Sequence, residues 1–470
     1  MKLYSENKYY KLYQGSMLDM QEVIKPESID SIVTDPPYEL NFMNKGWDNS
    51  GIAFQSNAWK QCYDVLKPGG YLLAFGGSRT YHRIACAIED AGFEIRDTIM
   101  WLYGSGFPKS MNIGLAIDKK NGVESKIVGQ NQNILKKQAK DLREGYRKIV
   151  DSYNAGAIER NNGFKNVSAD IKEAQNEWNG WGTALKPSFE PIIVARKPFK
   201  GSYVDNVIEY GVGGINIGEC RVGSEVITQL QKDLKPYTNN KMGVGYHTKM
   251  TGITTQTIGR FPANTILTYD NTDFDEVCGG FPKDKGYKPH KVYSNIEKYE
   301  GYGDSGSASR YFYCAKASKK DRDEGLDDFE EKLPACITDF RPTLATSPEK
   351  WNNGNPVDYA MMRTTPKKNI HPTVKPTELM QYLIRLVSPD GATILDCFNG
   401  SGSTGKAVMY ENKERNKNYK YIGIELTEEY LPISKARIEY VINNDLKVEK
   451  ENKEIKEGQT TIFDFIEKEL

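Results

Sequence analysis

A loop at 35–38 carries residue types that suit chemistry on a planar amine. It reads Asp35, Pro36, Pro37, Tyr38 and follows a short β-rich run. Proline fixes the backbone and has no N–H, so the loop presents carbonyl acceptors, that of Pro36 in particular, beside a carboxylate. Such a pair suits a group with two N–H donors, such as an exocyclic –NH₂, and Tyr38 offers a face for stacking on a base. The alternative is a plain Pro-Pro turn with a capping aspartate.

A second segment, 396–405, reads Asp-Cys-Phe-Asn-Gly-Ser-Gly-Ser-Thr-Gly, and Glu425 ends the next predicted strand. Glycines let the backbone approach a cofactor closely, and an acid at the end of the adjacent strand can hold ribose hydroxyls. The segment lacks the Gly-Lys-Ser/Thr of a Walker loop. A nucleoside cofactor without phosphates therefore fits this pattern.

Both segments lie where short strands and helices alternate. This rhythm runs from 1 to 115 and resumes at about 376. It favours an α/β fold with a mostly parallel sheet. An acid at the carboxyl end of a parallel strand lies at the ligand crevice of such a sheet, which is where Asp35 is expected.

The composition excludes several classes of protein. Hydrophobic residues make up 38% of the 470 residues, and no apolar run is long enough to span a membrane. The N-terminus lacks an apolar signal core. Seven scattered cysteines without a C-x-x-C pair indicate a reduced, cytoplasmic protein and argue against a structural zinc site, so no metal is expected.

The charge balance gives no global sign of nucleic-acid binding, because 63 basic residues match 63 acidic ones. It does not exclude a local basic groove. Between 116 and 260 there are 22 Lys and Arg against 15 Asp and Glu. This excess fits a contact with a polyanion or, equally, a solvated surface.

Together these residues resemble the amino-group DNA methyltransferases that use S-adenosylmethionine. The order of the motifs, Asp-Pro-Pro-Tyr early and Phe-x-Gly-x-Gly late, resembles the β subgroup, and 371–376 is similar to its H-P-T-x-K-P element. Segments at 181–192, 259–264 and 306–318 resemble its phage-type branch. The resemblance covers about residues 10–440. It implies a Rossmann-like methyltransferase sheet with a circularly permuted motif order and inserted recognition segments.

The resemblance also implies a division of the chain. Residues 1–115 would form the catalytic half of the methyltransferase domain and 366–440 the half that binds S-adenosylmethionine. Four further segments are a helical insertion at 116–180, a return to the core sheet at 181–205, a target-recognition insertion at 206–365 and a charged tail at 441–470.

Cofactor contacts are expected from the glycine loop, the next strand and the H-P-T-x-K-P element. The implied residues are Asp396, Phe398, Gly400, Gly402, Glu425, Thr373 and Lys375. Glu425 would hold the ribose, and Thr373 and Lys375 would meet the methionine end. A solvated lysine is the alternative for Lys375. Cys397 stands where the family often has proline.

The catalytic loop would act on a base that is flipped out of double-stranded DNA. Asp35 and the carbonyl of Pro36 would accept the two N–H groups of the amine, with Pro37 fixing the loop and Tyr38 stacking on the base. No covalent enzyme intermediate is needed, so no nucleophilic cysteine is expected. An aspartate at position 35 favours N6 of adenine, and N4 of cytosine is the alternative. A DNA-binding relative that has lost catalysis, and methylation of RNA or protein, are further alternatives.

The C-terminal peptide Gln459–Phe463 resembles the short motif by which proteins dock on replication sliding clamps. The alternative is an amphipathic end that packs on the domain. A homodimer and a restriction partner are both left open by the sequence.

Overall fold

The computed structural model describes residues 1–40, 50–103, 110–131, 170–239, 243–268, 312–313, 317–332 and 367–443, with the backbone alone for 224–239, 243–257, 268 and 312–313. These residues fall into two compact units. The first holds the described residues of 1–104, 189–339 and 365–470, and the second holds those of 105–188. Residues 132–169 of the predicted helical insertion 116–180 and the peptide Gln459–Phe463 lie outside the described residues.

The strands of the first unit form one large sheet and a separate two-stranded ribbon, and the second unit has a small sheet of its own. In chain order the strands are β1 (Lys2–Glu6), β2 (Tyr10–Gln14), β3 (Ile29–Thr34), β4 (Leu66–Phe75), β5 (Glu94–Tyr103), β6 (Lys126–Gln130), β7 (Asp170–Glu173), β8 (Phe189–Arg196), β9 (Val222–Asn239), β10 (Gly243–Arg260), β11 (Thr265–Thr268), β12 (Phe312–Tyr313), β13 (Thr393–Asp396) and β14 (Lys420–Glu425).

The helices alternate with these strands as the rhythm of the sequence predicts. They are α1 (Ser56–Val65), α2 (Tyr81–Asp90), α3 (Ile113–Asn121), α4 (Tyr203–Tyr210), α5 (Lys319–Asp323), α6 (Thr377–Val387), α7 (Ser403–Arg415) and α8, whose described part is 431–443. None of the described helices is long and apolar enough to cross a membrane.

The large sheet has the order β1-β2-β14-β13-β3-β4-β8-β5-β11-β12. The strands from β2 to β4 are parallel, so their carboxyl ends meet at one edge. Strand β13 pairs with β3 although more than 350 residues separate them, with Ile394 opposite Ser31 and Leu395 opposite Ile32. This adjacency confirms the α/β fold and the permuted order of its two halves.

Strand β8 is the exception to the parallel arrangement. It runs antiparallel to both β4 and β5, with Phe75 opposite Ile192 and Trp101 opposite Glu190. An antiparallel strand begins at the edge where its parallel neighbours end. The start of β8 therefore lies beside the carboxyl ends of β4 and β5.

Two apolar cores cover the two faces of the sheet, because successive strand side chains point to opposite sides. In β4, Tyr71, Leu73 and Phe75 pack in one core with residues of α6 and α7. Leu72 and Ala74 pack in the other core with residues of α1 and α2. Helices thus cover both faces, as in doubly wound folds.

The second unit contains α3 and a two-stranded antiparallel sheet of β6 and β7. Asn112 caps α3 by accepting the N–H of Leu115 at 3.0 Å, and buried Asp118 accepts from the Asn176 amide at 2.6 Å. The described part of 116–180, which the sequence predicts as helical, thus combines the end of α3 with two short strands.

Helices α6 and α7 are joined by a buried ion pair that offers a test of this packing. Arg385 donates from its Nη2 and Nε atoms to the two carboxylate oxygens of Glu411, at 2.5 and 3.2 Å, and Glu411 is fully buried. We expect Glu411→Ala to lower the free energy of unfolding by about 3–5 kcal/mol, because it leaves the guanidinium unpaired. Urea denaturation of the purified protein measures this change.

The matched control is the double variant Arg385→Met with Glu411→Met, which removes both charges. It should recover most of the lost stability, since apolar side chains of similar volume replace a buried ion pair well. A double variant less stable than Glu411→Ala would contradict the account.

Candidate active site

Three acidic side chains lie where neighbouring parallel strands end. Asp35 follows β3, Asp396 is the last residue of β13, and Glu425 is the last residue of β14. The strands are direct neighbours in the order β14, β13, β3. The sheet therefore brings the early and late motifs of the sequence to one edge, the usual place for a ligand crevice in an open α/β sheet.

Asp35 forms a buried ion pair with Lys375, which lies just before α6. Lys375 Nζ donates to Asp35 Oδ2 at 2.6 Å, and the two side chains are only 8% and 18% exposed. The other oxygen, Oδ1, is buried and accepts no hydrogen bond from the described residues. Burial raises the pKa of Asp35, and the attraction of Lys375 offsets this only in part.

Lys375 itself is held by a second carboxylate. Its Nζ lies 3.6 Å from Glu190 Oε2, at the start of β8. Burial alone would lower the pKa of Lys375, but Asp35 and Glu190 together outweigh burial and raise it. The lysine is therefore charged, and it also lies 5.3 Å from the ring centre of Tyr38 and 4.9 Å from that of Phe75.

Tyr38 is fixed at both ends. Its hydroxyl donates to Glu190 Oε2 at 2.7 Å, and its backbone carbonyl accepts from Thr80 Oγ1 at 2.7 Å. Burial and the carboxylates of Asp35 and Glu190 raise the pKa of Tyr38 well above its usual value, so the hydroxyl stays protonated. The ring is thus held in one orientation beside the ion pair.

The glycine loop between β13 and α7 depends on two positive φ angles. Gly400 has φ 50° and Gly402 has φ 73°. A Cβ at 400 would lie 2.8 Å from Nε2 of His371, and one at 402 would lie 2.4 Å from Oγ and 2.9 Å from Cα of Ser434. Glycine is therefore needed for space as well as for conformation.

Asp396 anchors the start of this loop. Its carboxylate accepts from the hydroxyls of Thr34 and Thr404 at 2.6 and 2.5 Å and from the N–H of Phe398 at 3.1 Å. Burial raises the pKa of Asp396 to about 6. The side chain of Phe398 packs near the buried Trp59, with 6.2 Å between the ring centres.

Glu425 ties the loop to the neighbouring strand. Its two carboxylate oxygens accept the N–H groups of Gly400 at 2.6 Å and Thr427 at 2.8 Å. Burial raises its pKa, against the effect of these hydrogen bonds. Each carboxylate oxygen has two acceptor sites, so capacity for a hydroxyl group remains.

In the chain, residues 371–376 lie between the Asp35–Tyr38 loop and the glycine loop. The ring of His371 packs edge-on against Tyr430 with 4.6 Å between centroids, and its Nδ1 accepts the N–H of Thr373 at 3.4 Å. Burial lowers the pKa of His371 to about 3, so the ring is neutral. The side chain of Thr373 is exposed, whereas Lys375 points to Asp35. The contact of both residues with the methionine end stays a prediction.

Two buried basic residues near the glycine loop were missed by sequence reasoning. Arg437 of α8 donates to the Ser401 carbonyl at 2.8 Å, and Lys406 of α7 donates to Asp321 of α5 at 2.9 Å. Burial lowers the pKa of Arg437 to about 10. These residues carry no sequence signal, because a lone Arg or Lys in a helical run is usually solvated.

Glu190 was also missed as a functional residue. It lies in the segment Glu190-Pro191-Ile192, which is part of the family resemblance at 181–192 but implies no role for this residue. Only the antiparallel course of β8 brings it to Tyr38 and Lys375. No group of three or more His, Cys, Asp or Glu that could hold a metal ion occurs in the parts of the chain described above.

A family model for N6- and N4-methylating enzymes, described as DNA methylase, matches residues 29–436. The chain belongs to this family. The match begins in β3 and ends in α8, so it includes the ion pair and the glycine loop. The protein is therefore a DNA methyltransferase, and its methyl donor is S-adenosylmethionine.

Individual relatives match shorter parts of the methyltransferase. A type II methyltransferase of Lactococcus lactis subsp. cremoris, M2.LlaDCHI, is 31% identical over 251 residues, which are 46% of this chain and 86% of that protein. M.HindIII of Haemophilus influenzae is 23% identical over 164 residues, 34% of this chain and 36% of that one. The solved PvuII DNA methyltransferase (cytosine-N4-specific) aligns over 91% of this chain and 86% of its own at 12% identity, with a TM-score of 0.37.

The residues at the ends of β13 and β14 fit a nucleoside cofactor. Two glycines with positive φ leave the loop without side chains at 400 and 402, and the Glu425 carboxylate keeps acceptor capacity beside them. The methyltransferase thus presents an acceptor that fits a ribose hydroxyl beside a loop that a ligand can approach closely.

Replacing a loop glycine tests this fit. We expect Gly402→Ala to weaken S-adenosylmethionine binding by at least about 10-fold, because the new Cβ would collide with the backbone of Ser434 and displace the loop. Isothermal titration calorimetry on the full chain measures the dissociation constant.

Gly391→Ala is the matched control. Gly391 has a similar φ of 76°, but nothing lies within 4 Å of its Cβ position. This variant should carry the same backbone strain and bind the cofactor normally. Equal loss of binding in both variants would contradict the steric explanation.

Proposed function

We propose that the enzyme methylates the N6 amino group of an adenine that is flipped out of double-stranded DNA. One observation carries the proposal: the ion pair with Lys375 occupies one oxygen of Asp35 and leaves the buried Oδ1 without a partner among the described residues. A buried carboxylate oxygen without a donor is costly, so this atom is set to receive an N–H group.

Asp35 and the carbonyl of Pro36 are the proposed acceptors for the two N–H groups of the amine. The lone pair of an exocyclic nitrogen is delocalised into the ring, which makes it a poor nucleophile. Acceptance of both N–H bonds favours a more sp³-like nitrogen whose lone pair is available. Burial raises the pKa of Asp35, so its carboxylate is also a better acceptor for the proton that the methylated amine must lose.

Tyr38 is the proposed stacking platform for the flipped base. Flipping costs a few kcal/mol, and stacking on an aromatic ring returns roughly 1–3 kcal/mol per base. The ring is already held by Glu190 and Thr80, so little orientational entropy is lost when a base arrives. Much of the acceleration then comes from proximity and orientation.

The glycine loop is the proposed cofactor site, with Gly400 and Gly402 at the backbone and Glu425 on the ribose. S-adenosylmethionine supplies, when bound, a methyl group activated by its sulfonium. Asp396 accepts the N–H of Phe398 and Glu425 accepts that of Gly400, and the loop follows β13, the direct neighbour of the strand that Asp35 follows. No cysteine nucleophile is required for direct transfer.

Adenine is preferred over cytosine because the first residue of the tetrapeptide is aspartate, whereas N4-cytosine enzymes of the family more often have serine there. N4 of cytosine remains the second candidate, since both amines need the same two acceptors. The intact set of Asp35, Tyr38 and Glu425 argues against a relative that only binds DNA. The type II methyltransferases among the relatives support a modification enzyme of a restriction-modification pair.

The long ribbon of β9 and β10 is the proposed reader of the target sequence. Its strands pair antiparallel from Asn239 opposite Gly243 to Val222 opposite Arg260. A two-stranded ribbon fits the major groove of B-DNA, and its sequence supplies Gln, Thr and Lys, which suit base edges and phosphates. Within the predicted target-recognition insertion 206–365, the base-reading role is thus assigned to this ribbon.

Removal of the acceptor at position 35 tests the reaction. We expect Asp35→Asn to lower methyl transfer from S-adenosylmethionine to unmethylated duplex DNA by about 10²–10⁴-fold, because the amine then loses its carboxylate acceptor. Cofactor affinity should stay within a few-fold of wild type. Scintillation counting measures the rate of both proteins. Nucleoside mass spectrometry of the DNA methylated by the wild-type protein should find N6-methyladenine.

Asp64→Asn in α1 is the control for loss of one carboxylate outside the site and should leave the rate unchanged. N4-methylcytosine as the product would keep the mechanism and change the base. Full activity of Asp35→Asn would refute the proposed role of the loop.

Removal of the ribbon tests target recognition. Val222 and Arg260 are paired across the ladder, so an Asn-Gly turn can join them in place of 223–259. We expect this variant to bind S-adenosylmethionine as wild type does and to lose sequence-specific methylation of duplex DNA. Sequencing that reports methylated positions measures the outcome, and an unchanged recognition sequence would disprove the assignment.

A further inference from the structure

Glu190 is drawn into the site by the topology of the sheet. It is the second residue of β8, and its pairing with Trp101 places it at the edge where Asp35 lies. Its Oε2 accepts from the hydroxyl of Tyr38 at 2.7 Å and lies 3.6 Å from the ammonium of Lys375. One carboxylate therefore contacts both Tyr38 and Lys375, and Lys375 is the residue that pairs with Asp35.

Charge makes this arrangement specific. Two carboxylates, Asp35 and Glu190, face one ammonium, and the ammonium is 1.0 Å closer to Asp35, at 2.6 against 3.6 Å. The three side chains are at most 21% exposed, so solvent screens them little. Without Glu190, Lys375 would lose its second carboxylate, and the hydroxyl of Tyr38 would lose the acceptor that it contacts at 2.7 Å.

We propose that Glu190 is a positioning residue, which holds Tyr38 and Lys375 so that the ion pair occupies one oxygen of Asp35 and leaves the other to the target amine. Glu190 acts through these two side chains and touches neither base nor methyl donor. The inference rests on the proposed function of Asp35.

The same charge sets the pH at which Asp35 works. Groups facing Asp35 are Lys375 before α6, Glu190 on β8, Tyr38 on its own loop and Asp396 on β13. Burial and the negative charge of Glu190 raise the pKa of Asp35, whereas Lys375 lowers it. Asp35 must be ionised to accept an N–H group, so activity falls as pH drops through its pKa. Loss of the Glu190 charge lowers that pKa and should extend activity to lower pH.

The test compares Glu190→Gln with Glu190→Ala in the full chain, by methyl transfer to unmethylated duplex DNA from pH 5 to 9. Glutamine can still accept from Tyr38, so we expect kcat near neutral pH within about 3-fold of wild type and an acid limb of kcat/KM moved down by about 0.5–1 pH unit. Alanine removes the acceptor as well, and kcat should fall about 10-fold or more, with the KM for S-adenosylmethionine unchanged.

Tyr38→Phe combined with Glu190→Ala tests the hydrogen bond between these two side chains. Because the two residues act through one hydrogen bond, the double variant should lose little more kcat than Glu190→Ala alone. Glu94→Gln is the matched control, since it removes a carboxylate at the opposite end of β5, where Glu94 pairs with Arg196. Its pH profile should match that of wild type.

Two results together would overturn this inference and leave the proposed function intact. These are an acid limb of kcat/KM in Glu190→Gln at the same pH as in wild type, and a kcat of Glu190→Ala equal to that of wild type. Asp35→Asn, run in parallel, separates it from the proposed function. If Asp35→Asn keeps full activity, the proposed function fails and the inference fails with it.

Discussion

The site depends on one buried ammonium between two carboxylates. An isolated charge in this position would be strongly unfavourable, so Lys375 is stable there only because Asp35 and Glu190 face it. The reverse also holds for Asp35, since burial disfavours its charged form and Lys375 favours it. This mutual dependence holds Asp35 and Lys375 together at the start of the loop 35–38. Lys375 occupies one oxygen of Asp35, and the other accepts no hydrogen bond from the described residues.

The sheet topology makes this ion pair possible. Parallel strands β13, β3 and β4 bring their carboxyl ends together, and β8 runs the other way, so that its first residues join them. A fully parallel sheet would place Glu190 at the opposite edge, about the length of β8 away. The antiparallel strand therefore adds a carboxylate to an edge of the sheet that otherwise collects only the carboxyl ends of strands.

The glycine loop between β13 and α7 is held by hydrogen bonds to its backbone and not by an ion pair like that of Asp35. Two of its positions carry no side chain, and neighbouring side chains hold its backbone in place. Glu425 and Asp396 accept backbone N–H groups of the glycine loop, and buried Arg437 donates to the loop from the other side. An ion pair thus holds the Asp35 loop, whereas hydrogen bonds to the main chain hold the glycine loop.

The sequence by itself determined the α/β fold, the family and the residues of both motifs, because local rhythm, glycine spacing and the Asp-Pro-Pro-Tyr loop are written in consecutive residues. Tertiary structure alone decided that Lys375 pairs with Asp35 and that Glu190 completes the group. Residues 35, 190 and 375 are far apart in the chain, and their proximity depends on strand order and direction. Periodicity reports which face a residue occupies, but it carries no information on which strand lies next to which.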